Sequence, residues 1–444
     1  MSSHSVHAPP PVPGNAASSA SAALNARIFR RLMPLLVLSY VISFIDRTNI
    51  ALAKSHIEVD LGISAAAYGL GAGLFFLSYA LLEVPSNLIM HRVGARFWIT
   101  RIMVTWGLLS AGMAFITGET SFYAMRVLLG AAEAGLFPGV MLYLTYWFGR
   151  EERARAIGYF LLGVCIANIL SGPVGGALLQ MDGFLGWHGW QWMFVIEGLP
   201  AVALAWVVWK KLPDGPASAP WLTAAESREV LQRLQAEQDQ QASAGQVGHS
   251  LRDCLRDRQI WLAILVYFCH QISIYTVIFF LPGIIGTYGQ LSPLQIGTLN
   301  SVPWIAAAIG AAWLPRFATH PQRCRRMLLA GLATMAAGLL VAALAGKASP
   351  ALGLLGFSLT ALMFFVVQSV VFLFPASRLA GAGLAGGIAL VNTCGLVGGF
   401  IGPTVMGMIE QATGSTRNGL FIMAGLLVVA ALASTRLRQG QETP

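Results

Sequence analysis

Charged residues are scarce in this sequence. Only 11% of its 444 residues are Asp, Glu, Lys or Arg, whereas a soluble domain carries about 25%. Hydrophobic residues make up 56% of the chain, and runs of about 20 mostly apolar residues recur, each long enough to cross a bilayer core of about 30 Å. This composition excludes a soluble globular domain and predicts a polytopic α-helical membrane protein.

Paired cysteine spacings are also missing. The chain has Cys165, Cys254, Cys269, Cys324 and Cys394, of which three fall in apolar spans and two on the side that we assign to the cytoplasm. We therefore expect neither disulfides nor a metal site, and no cofactor. Residues 1–26 lack the basic start and apolar core of a signal peptide, and we expect them to form a disordered cytoplasmic tail.

Twelve apolar spans follow one another along the chain. They cover residues 32–52, 68–90, 98–116, 121–148, 154–179, 191–209, 259–286, 293–315, 327–346, 350–373, 379–408 and 418–435. Most Lys and Arg residues lie in or beside the termini and the even-numbered loops, whereas the odd-numbered loops hold only Lys54, Lys347 and Arg417. By the positive-inside rule, both termini and the central loop are expected in the cytoplasm. The net charge of +9 is then a topology signal and gives no support to nucleic-acid binding.

A long polar loop divides the chain into six spans and six spans. The expected parts are an N-terminal half at 27–209, the cytoplasmic loop at 210–258, a C-terminal half at 259–436 and a tail at 437–444. A weak repeat supports the division, because "SGPVGGALL" in span five and "IGPTVMGMI" in span eleven put Pro173 and Pro403 in matching places. Duplicated halves with a site between them are typical of alternating-access transporters.

Five charged residues lie deep in the spans of the first half: Asp46, Arg47, Glu83, Arg126 and Glu133. A charge at the bilayer centre costs roughly 2.5–3.5 kcal/mol on insertion scales, so such residues face a partner or a watery cavity and usually mark a transport path. A further acid in span six, Glu197, has no polar stripe beside it, and we assign it a structural role.

Helical spacing sorts these charges onto faces. In span one, Tyr40 and Arg47 share a face, whereas Asp46 lies about 100° away. In span four, Arg126 and Glu133 share a face with about 10 Å of axial rise between them, too far for a close ion pair. We therefore expect pairing across helices, of Asp46 with Arg126, and of Arg47 with either Glu133 or a ligand.

The second half offers neutral polar groups instead. His270 lies beside Gln271, which favours a neutral, hydrogen-bonded histidine over a proton carrier. Any single polar residue in a span is more often a helix-packing contact than a ligand contact. The other candidates are Tyr275, Asn300, Gln368, Ser369 and Asn392.

Several segments resemble a known family. "HRVGARFWITR" after span two and "RVLLGAAEAGLFPG" in span four resemble the major facilitator superfamily. More narrowly, "FIDRTNIALA", "AEAGLFPGVMLYLTYWF" and "WQWMFVIEGLPAV" resemble its anion:cation symporters, such as bacterial tartrate, phthalate, hydroxyphenylacetate and sugar-acid permeases. The resemblance covers about residues 30–436. It implies an all-α fold of twelve transmembrane helices in two six-helix halves.

The resemblance also implies roles for particular residues. Substrate-carboxylate binding falls on Arg47, Tyr79, Tyr275, Ser369 and Asn392. It implies proton coupling at Asp46 and Glu133, with Arg126 as the positive charge that responds to their protonation state. Gating falls on Arg92, Gly94 and Arg96 in the loop after span two, where His91 stands in place of the usual Asp.

Electrostatics favours coupled uptake. An inside-negative potential opposes anion uptake by about 2.3 kcal/mol per charge per 100 mV, so concentrating a dianion needs at least two compensating cations. We therefore expect a monomer in the bacterial cytoplasmic (inner) membrane that imports a small organic anion, such as tartrate or a sugar acid, with protons. Anion exchange, an aromatic-acid substrate such as phthalate or hydroxyphenylacetate, and a receptor-like sensor stay open. An enzyme is not expected, since no span shows a nucleophile–base pair or a metal-ligand cluster.

Overall fold

The computed structural model describes residues 14–243, 251–318, 320–379 and 381–438, and all regular structure among them is helical. The first half contains α1 (Gly14–Leu61), α2 (Ala65–Val93), α3 (Ala95–Gly112), α4 (Glu119–Glu133), α5 (Leu136–Thr145), α6 (Arg150–Leu179) and α7 (Gly189–Lys211). The central loop contains α8 (Ala224–Ser243) and α9 (Leu251–Arg256). The second half contains α10 (Arg258–Gly286), α11 (Pro293–Trp313), α12 (Pro321–Ala345), α13 (Pro350–Arg378), α14 (Gly381–Thr413) and α15 (Arg417–Ser434).

The expected spans map onto these helices. Eleven segments of the described residues are long and apolar enough to cross a membrane, and α4 with α5 counts as one of them. The expected eighth span is α11, a 21-residue helix that packs between α6 and α13 but is less apolar than the others. The prediction of an all-α protein with twelve long helices in two halves is confirmed.

The start of α1 differs from the expected tail. The helix begins at Gly14, so residues 14–26 are helical, whereas residues 1–13 lie outside the described part of the chain. An Ala- and Ser-rich stretch can form a helix when it has something to pack against. Here Leu24 is buried, and Asn25 donates to Glu152 Oε1 at 2.8 Å while accepting from Arg233 of α8 at 2.8 Å. The part of the expected tail around Leu24 and Asn25 is therefore packed against the first half and the central loop.

The two halves meet through α1, α2 and α6 on one side and α10, α11 and α14 on the other. Many of their contacts lie near the helix ends opposite the termini, which we call the distal side. There the ammonium of Lys54 lies 2.9 Å from a carboxylate oxygen of Glu410 in α14. Nearby, the backbone N–H of Ala66 donates to Gln411 Oε1 at 3.0 Å. Hydrogen bonds and an ion pair therefore join the halves on the distal side.

A pair of glycines lets α6 and α11 approach each other near the distal side. A Cβ added to Gly172 would lie 2.1 Å from the carbonyl oxygen of Gly297, and a Cβ on Gly297 would lie 1.9 Å from that of Gly172. Neither position has room for a side chain, because the neighbour at each point is backbone. The hydroxyl of Ser301 adds a hydrogen bond across the same contact, to Ile169 O at 2.6 Å.

Candidate functional site

Arg47 stands at the centre of the site. It lies mid-helix in α1, is 7% exposed, and forms an ion pair with Glu133 of α4. The hydroxyl of Ser43, one turn earlier in α1, donates to the same Glu133 oxygen at 2.5 Å. Of the two expected partners for Arg47, a ligand and Glu133, the structure shows the carboxylate in place.

Aromatic rings surround the Arg47 guanidinium. Its central carbon lies 4.6 Å from the ring centroid of Phe44, 5.2 Å from that of Phe75 and 5.3 Å from that of Tyr79. Rings at this distance attract a cation and shield it from water. Tyr275 of α10 interacts with Arg47 from the other half. Its ring centroid lies 4.3 Å from that of Phe76 in α2. The site therefore lies where the two halves face each other.

A break in the expected fourth span fixes Glu133 at the end of α4. Pro138 has no N–H to donate to the carbonyl of Ala134 four residues earlier, so that carbonyl needs another partner. The hydroxyl of Ser86 in α2 donates to it at 2.7 Å. Gly135 adopts φ 96°, and a Cβ there would lie 2.1 Å from Ser86 Oγ. The expected span at 121–148 is present as one membrane-crossing segment over 119–145, but its helix is interrupted directly after Glu133.

Asp46 faces α3. Its two carboxylate oxygens accept one hydrogen bond each, from Trp106 Nε1 at 2.6 Å and Ser110 Oγ at 2.9 Å, and the residue is 2% exposed. The expected pairing of Asp46 with Arg126 was wrong. The direction of Asp46, about 100° around α1 from Arg47, points it toward α3 rather than toward α4.

Arg126 is a buried cation held by backbone oxygens. Its guanidinium donates to the carbonyls of Gly71 at 3.2 Å and Ala72 at 3.3 Å, and it lies 4.9 Å from the ring centroid of Phe75. In the part of the chain that the structure describes, no carboxylate lies within ion-pair distance of it. The Arg47 guanidinium lies 5.2 Å from the centroid of the same ring, so the two positive charges are close together.

The second half contributes less to this cluster than the resemblance implied. Tyr275 is in place, but Ser369 is exposed and its hydroxyl donates to Phe365 O within its own helix at 2.7 Å. Asn392 is half-buried, and no described contact brings it or Ser369 to Arg47. His270 is fully buried and bonded to Gln271 Oε1 at 3.0 Å and Phe364 O at 3.2 Å, as a hydrogen-bonded structural histidine would be.

The expected gating residues lie at the junction of α2 and α3, on the side of the termini. Gly94 separates the two helices, and Arg92 is exposed. Arg96 donates to Trp209 O at 2.5 Å, and its backbone N–H donates to Asp214 Oδ1 at 2.9 Å. The junction is thereby fastened to the end of α7 and the start of the central loop.

Sequence reasoning missed four residues that position the site. Trp106 and Ser110 hold Asp46, Ser43 holds Glu133, and Ser86 holds the break in span four. A tryptophan and small hydroxyl residues in apolar spans carry little signal of their own. Only Pro138, four residues after Ala134, marks the break in the sequence.

Comparisons with known proteins agree with this architecture. The sequence profile described as Major Facilitator Superfamily matches residues 36–403. A "Putative tartrate transporter" of Agrobacterium vitis is 42% identical over 418 residues, which cover 93% of this chain and 94% of that protein. A "Quinolone resistance transporter" of Acinetobacter baumannii is 40% identical and covers 93% and 95%. The inward-open structure of the xylose transporter XylE from E. coli superposes with a TM-score of 0.73 at 14% identity, covering 94% and 98%.

Proposed function

The chain belongs to the major facilitator superfamily, and from this premise we propose that it imports a small organic anion by proton symport with alternating access. It is a multi-pass secondary transporter and not an enzyme. The proposed substrate is a hydroxy-dicarboxylate such as tartrate or a related sugar acid. The observation that carries the proposal is the ion pair between Arg47 and Glu133, buried where the two halves meet.

Arg47 is the proposed substrate anchor. A guanidinium presents a planar fork that meets a carboxylate through two parallel hydrogen bonds. The carboxylate of Glu133 now holds this fork, so a substrate carboxylate has to compete with it. Tyr79 and Tyr275 lie beside the same guanidinium and offer hydroxyls from both halves. Ser369 and Asn392 would join them only after the second half moves.

Protonation of Glu133 is the proposed link between proton and substrate. A neutral Glu133 loses its charge attraction for Arg47 and leaves the guanidinium free for a substrate carboxylate. When the substrate leaves, Arg47 again favours the ionised form of Glu133, and the proton is released on the same side. Asp46 is the proposed second proton carrier, and Arg126 supplies a fixed positive charge beside the site.

The described contacts support a carrier that is closed on the distal side. With both termini in the cytoplasm, as the Lys and Arg distribution indicates, this is an inward-facing state. The proposed location is the bacterial inner membrane and the proposed state a monomer, with Arg92, Gly94 and Arg96 acting at the cytoplasmic gate.

An aromatic acid is the second candidate substrate. The rings of Phe44, Phe75 and Tyr79 around Arg47 would suit a planar aromatic carboxylate as well as they shield the cation. The names of two relatives do not decide between an aliphatic and an aromatic substrate, since one is called a tartrate transporter and the other a quinolone resistance transporter. A thermal-shift screen of aliphatic and aromatic acids on the purified protein would separate the two.

Uptake into proteoliposomes tests the coupling. We expect tartrate or the acid found by the screen to accumulate when the outside is acidic, and a protonophore to abolish the accumulation. Liposomes without protein are the control. Symport would be overturned in favour of exchange if uptake were independent of the pH gradient and the protonophore and were accelerated by anion trapped inside the liposomes.

A substitution at the close glycine contact between α6 and α11 would test alternating access. We expect Gly172→Ala to lower transport severalfold, because the added methyl would lie 2.1 Å from Gly297 O and keep the distal side from closing. Gly158→Ala in the same helix is the matched control, since a Cβ there meets nothing within 4 Å. Equal uptake by the two variants at equal amounts of folded protein would show that closure at this contact is not required.

A further inference from the structure

A polar stripe runs along one face of α1 from the site to the distal side. Asp46, Asn49, His56 and Asp60 follow one another at spacings of three, seven and four residues, which places them on one face of the helix, with the buried Ala53 between Asn49 and His56. This face is about 100° away from Arg47, and α1 packs against α7 as well as α6. The stripe therefore lies outside the Arg47 cluster, within the first half alone.

Glu197 of α7 meets this stripe near its inner end. It is 6% exposed, and neither of its carboxyl oxygens has a hydrogen-bond partner among the described residues. Asn49 lies beside it, yet Asn49 Nδ2 is also buried without a partner. On the α6 side, a Cβ added to Gly175 would lie 3.4 Å from Glu197 Oε1. A structural role for Glu197 would rest on the neighbouring Asn49, since no other described group offers it a hydrogen bond.

Among the residues that the structure describes, no positive charge faces Glu197. The groups that face it are Asp46 and Asn49 on α1 and Gly175 on α6, while Ser110 on α3 bonds to Asp46 and lies against the neighbouring Gly198. Two carboxylates that repel each other in an apolar interior without a cation cannot both stay ionised. Asp46 has a bonded donor for each oxygen, whereas Glu197 has only the Asn49 amide beside it, so we place the proton of this pair on Glu197.

The outer end of the stripe reaches water on the distal side. Asp60 accepts a hydrogen bond from Trp190 Nε1 at 2.8 Å and lies 3.2 Å from the imidazole of His188, which is exposed. Trp190 and Glu197 are seven residues apart in α7, so they share a face about 10 Å apart along the axis. The exposed groups and the buried carboxyl pair thus lie along one seam between α1 and α7.

From this arrangement we infer that Glu197 is a further proton-binding residue, which exchanges protons with Asp46 and with the distal rim formed by His56, Asp60 and His188. The proton leaves the Glu197 carboxyl and arrives on the Asp46 carboxylate, so that one acid of the pair is neutral before and after the step. Protons then reach Asp46 along the seam between α1 and α7 while the substrate uses the cavity between the halves. The inference rests on the proposed proton symport.

Glu197→Gln tests the proton on Glu197 directly. Infrared difference spectra of the full chain in lipid, recorded against pH, should show a protonated carboxyl band that disappears in Glu197→Gln. The band should persist in Glu229→Gln, which changes an exposed acid on α8. The amide keeps the shape of the neutral acid, so we expect an unchanged melting temperature and unchanged substrate binding. A band that survives in Glu197→Gln would overturn the assignment.

Transport measurements test the exchange with Asp46 and the rim. In proteoliposomes, Glu197→Gln should move one proton fewer per substrate, and Asp60→Asn should slow gradient-driven uptake severalfold while leaving counterflow unchanged. Wild-type proton counts in the first variant, or wild-type uptake in the second, would overturn the route. If the wild-type protein moves no protons with substrate, symport and the route both fail, whereas the infrared band still decides whether Glu197 carries a proton.

Discussion

Replacing Arg47 by alanine or by lysine should weaken substrate binding at least about twentyfold, since truncating one partner of a buried charge pair costs about 2–5 kcal/mol. Lysine keeps the positive charge but lacks the planar fork that meets a carboxylate through two hydrogen bonds. Its compact ammonium also loses the contacts of the guanidinium with Phe44, Phe75 and Tyr79. Isothermal titration with the best acid of the screen would measure the loss.

A double variant separates lost binding from lost folding. Arg47→Ala alone leaves Glu133 buried without its cation, which destabilises the protein by about 3–5 kcal/mol. Arg47→Ala combined with Glu133→Gln removes both charges and should recover the melting temperature without recovering binding. Wild-type-like affinity in Arg47→Lys would contradict two-point recognition, and wild-type-like affinity in the double variant would contradict the anchor itself.

The structure explains how the apolar core tolerates its charges. Left alone, each would cost roughly 2.5–3.5 kcal/mol on insertion scales. Arg47 and Glu133 neutralise each other, Asp46 receives two donors, and Arg126 donates to two carbonyls of α2. The charges are thus stabilised in three different ways: by an opposite charge, by side-chain donors and by backbone carbonyls. A proton on Glu133 removes the charge attraction that holds Arg47, and for this reason we propose that Glu133 couples the proton to the substrate.

Helical periodicity predicted correctly which helix face each buried charge lies on, but it predicted poorly which residue each charge contacts. It placed Arg47 and Asp46 on different faces of α1, and the structure keeps them apart. It could not tell which helix each face meets, because that depends on the packing order of the bundle. The pairing of Asp46 with Arg126 failed for this reason, while the pairing of Arg47 with Glu133 remained one of two open choices.

Long apolar runs predicted the helices themselves, because a helix is one of the few structures that satisfies its own backbone in lipid. Local exceptions were harder. The carbonyl left free at the break after Glu133 accepts from a hydroxyl of α2, and the start of α1 accepts a hydrogen bond from Arg233 of the central loop. Glu197 looked structural in sequence because its neighbours in α7 are apolar. Its polar neighbours come from α1 and become visible only in three dimensions.

Glu133→Gln should separate binding from coupling. The amide resembles the protonated acid in shape and carries no charge, so Arg47 is released as it would be by a proton. We expect substrate to bind at least as tightly as to the wild-type protein, with an affinity that depends less on pH. Gradient-driven accumulation should be lost, because no proton can leave residue 133 to reset the empty carrier. Counterflow needs only the loaded carrier to reorient, and it should survive.

Ser43→Ala is the matched control, because it removes the other hydrogen bond to Glu133 while leaving the titratable carboxyl in place. Its accumulation should still respond to the pH gradient. If Glu133 instead served only to hold Arg47, the neutral amide would leave a buried guanidinium unpaired. Binding, counterflow and melting temperature would then fall together, and that outcome would defeat the carrier role. Accumulation by Glu133→Gln at the wild-type rate would defeat both roles, since a residue that neither resets the carrier nor holds the anchor has no part in the cycle.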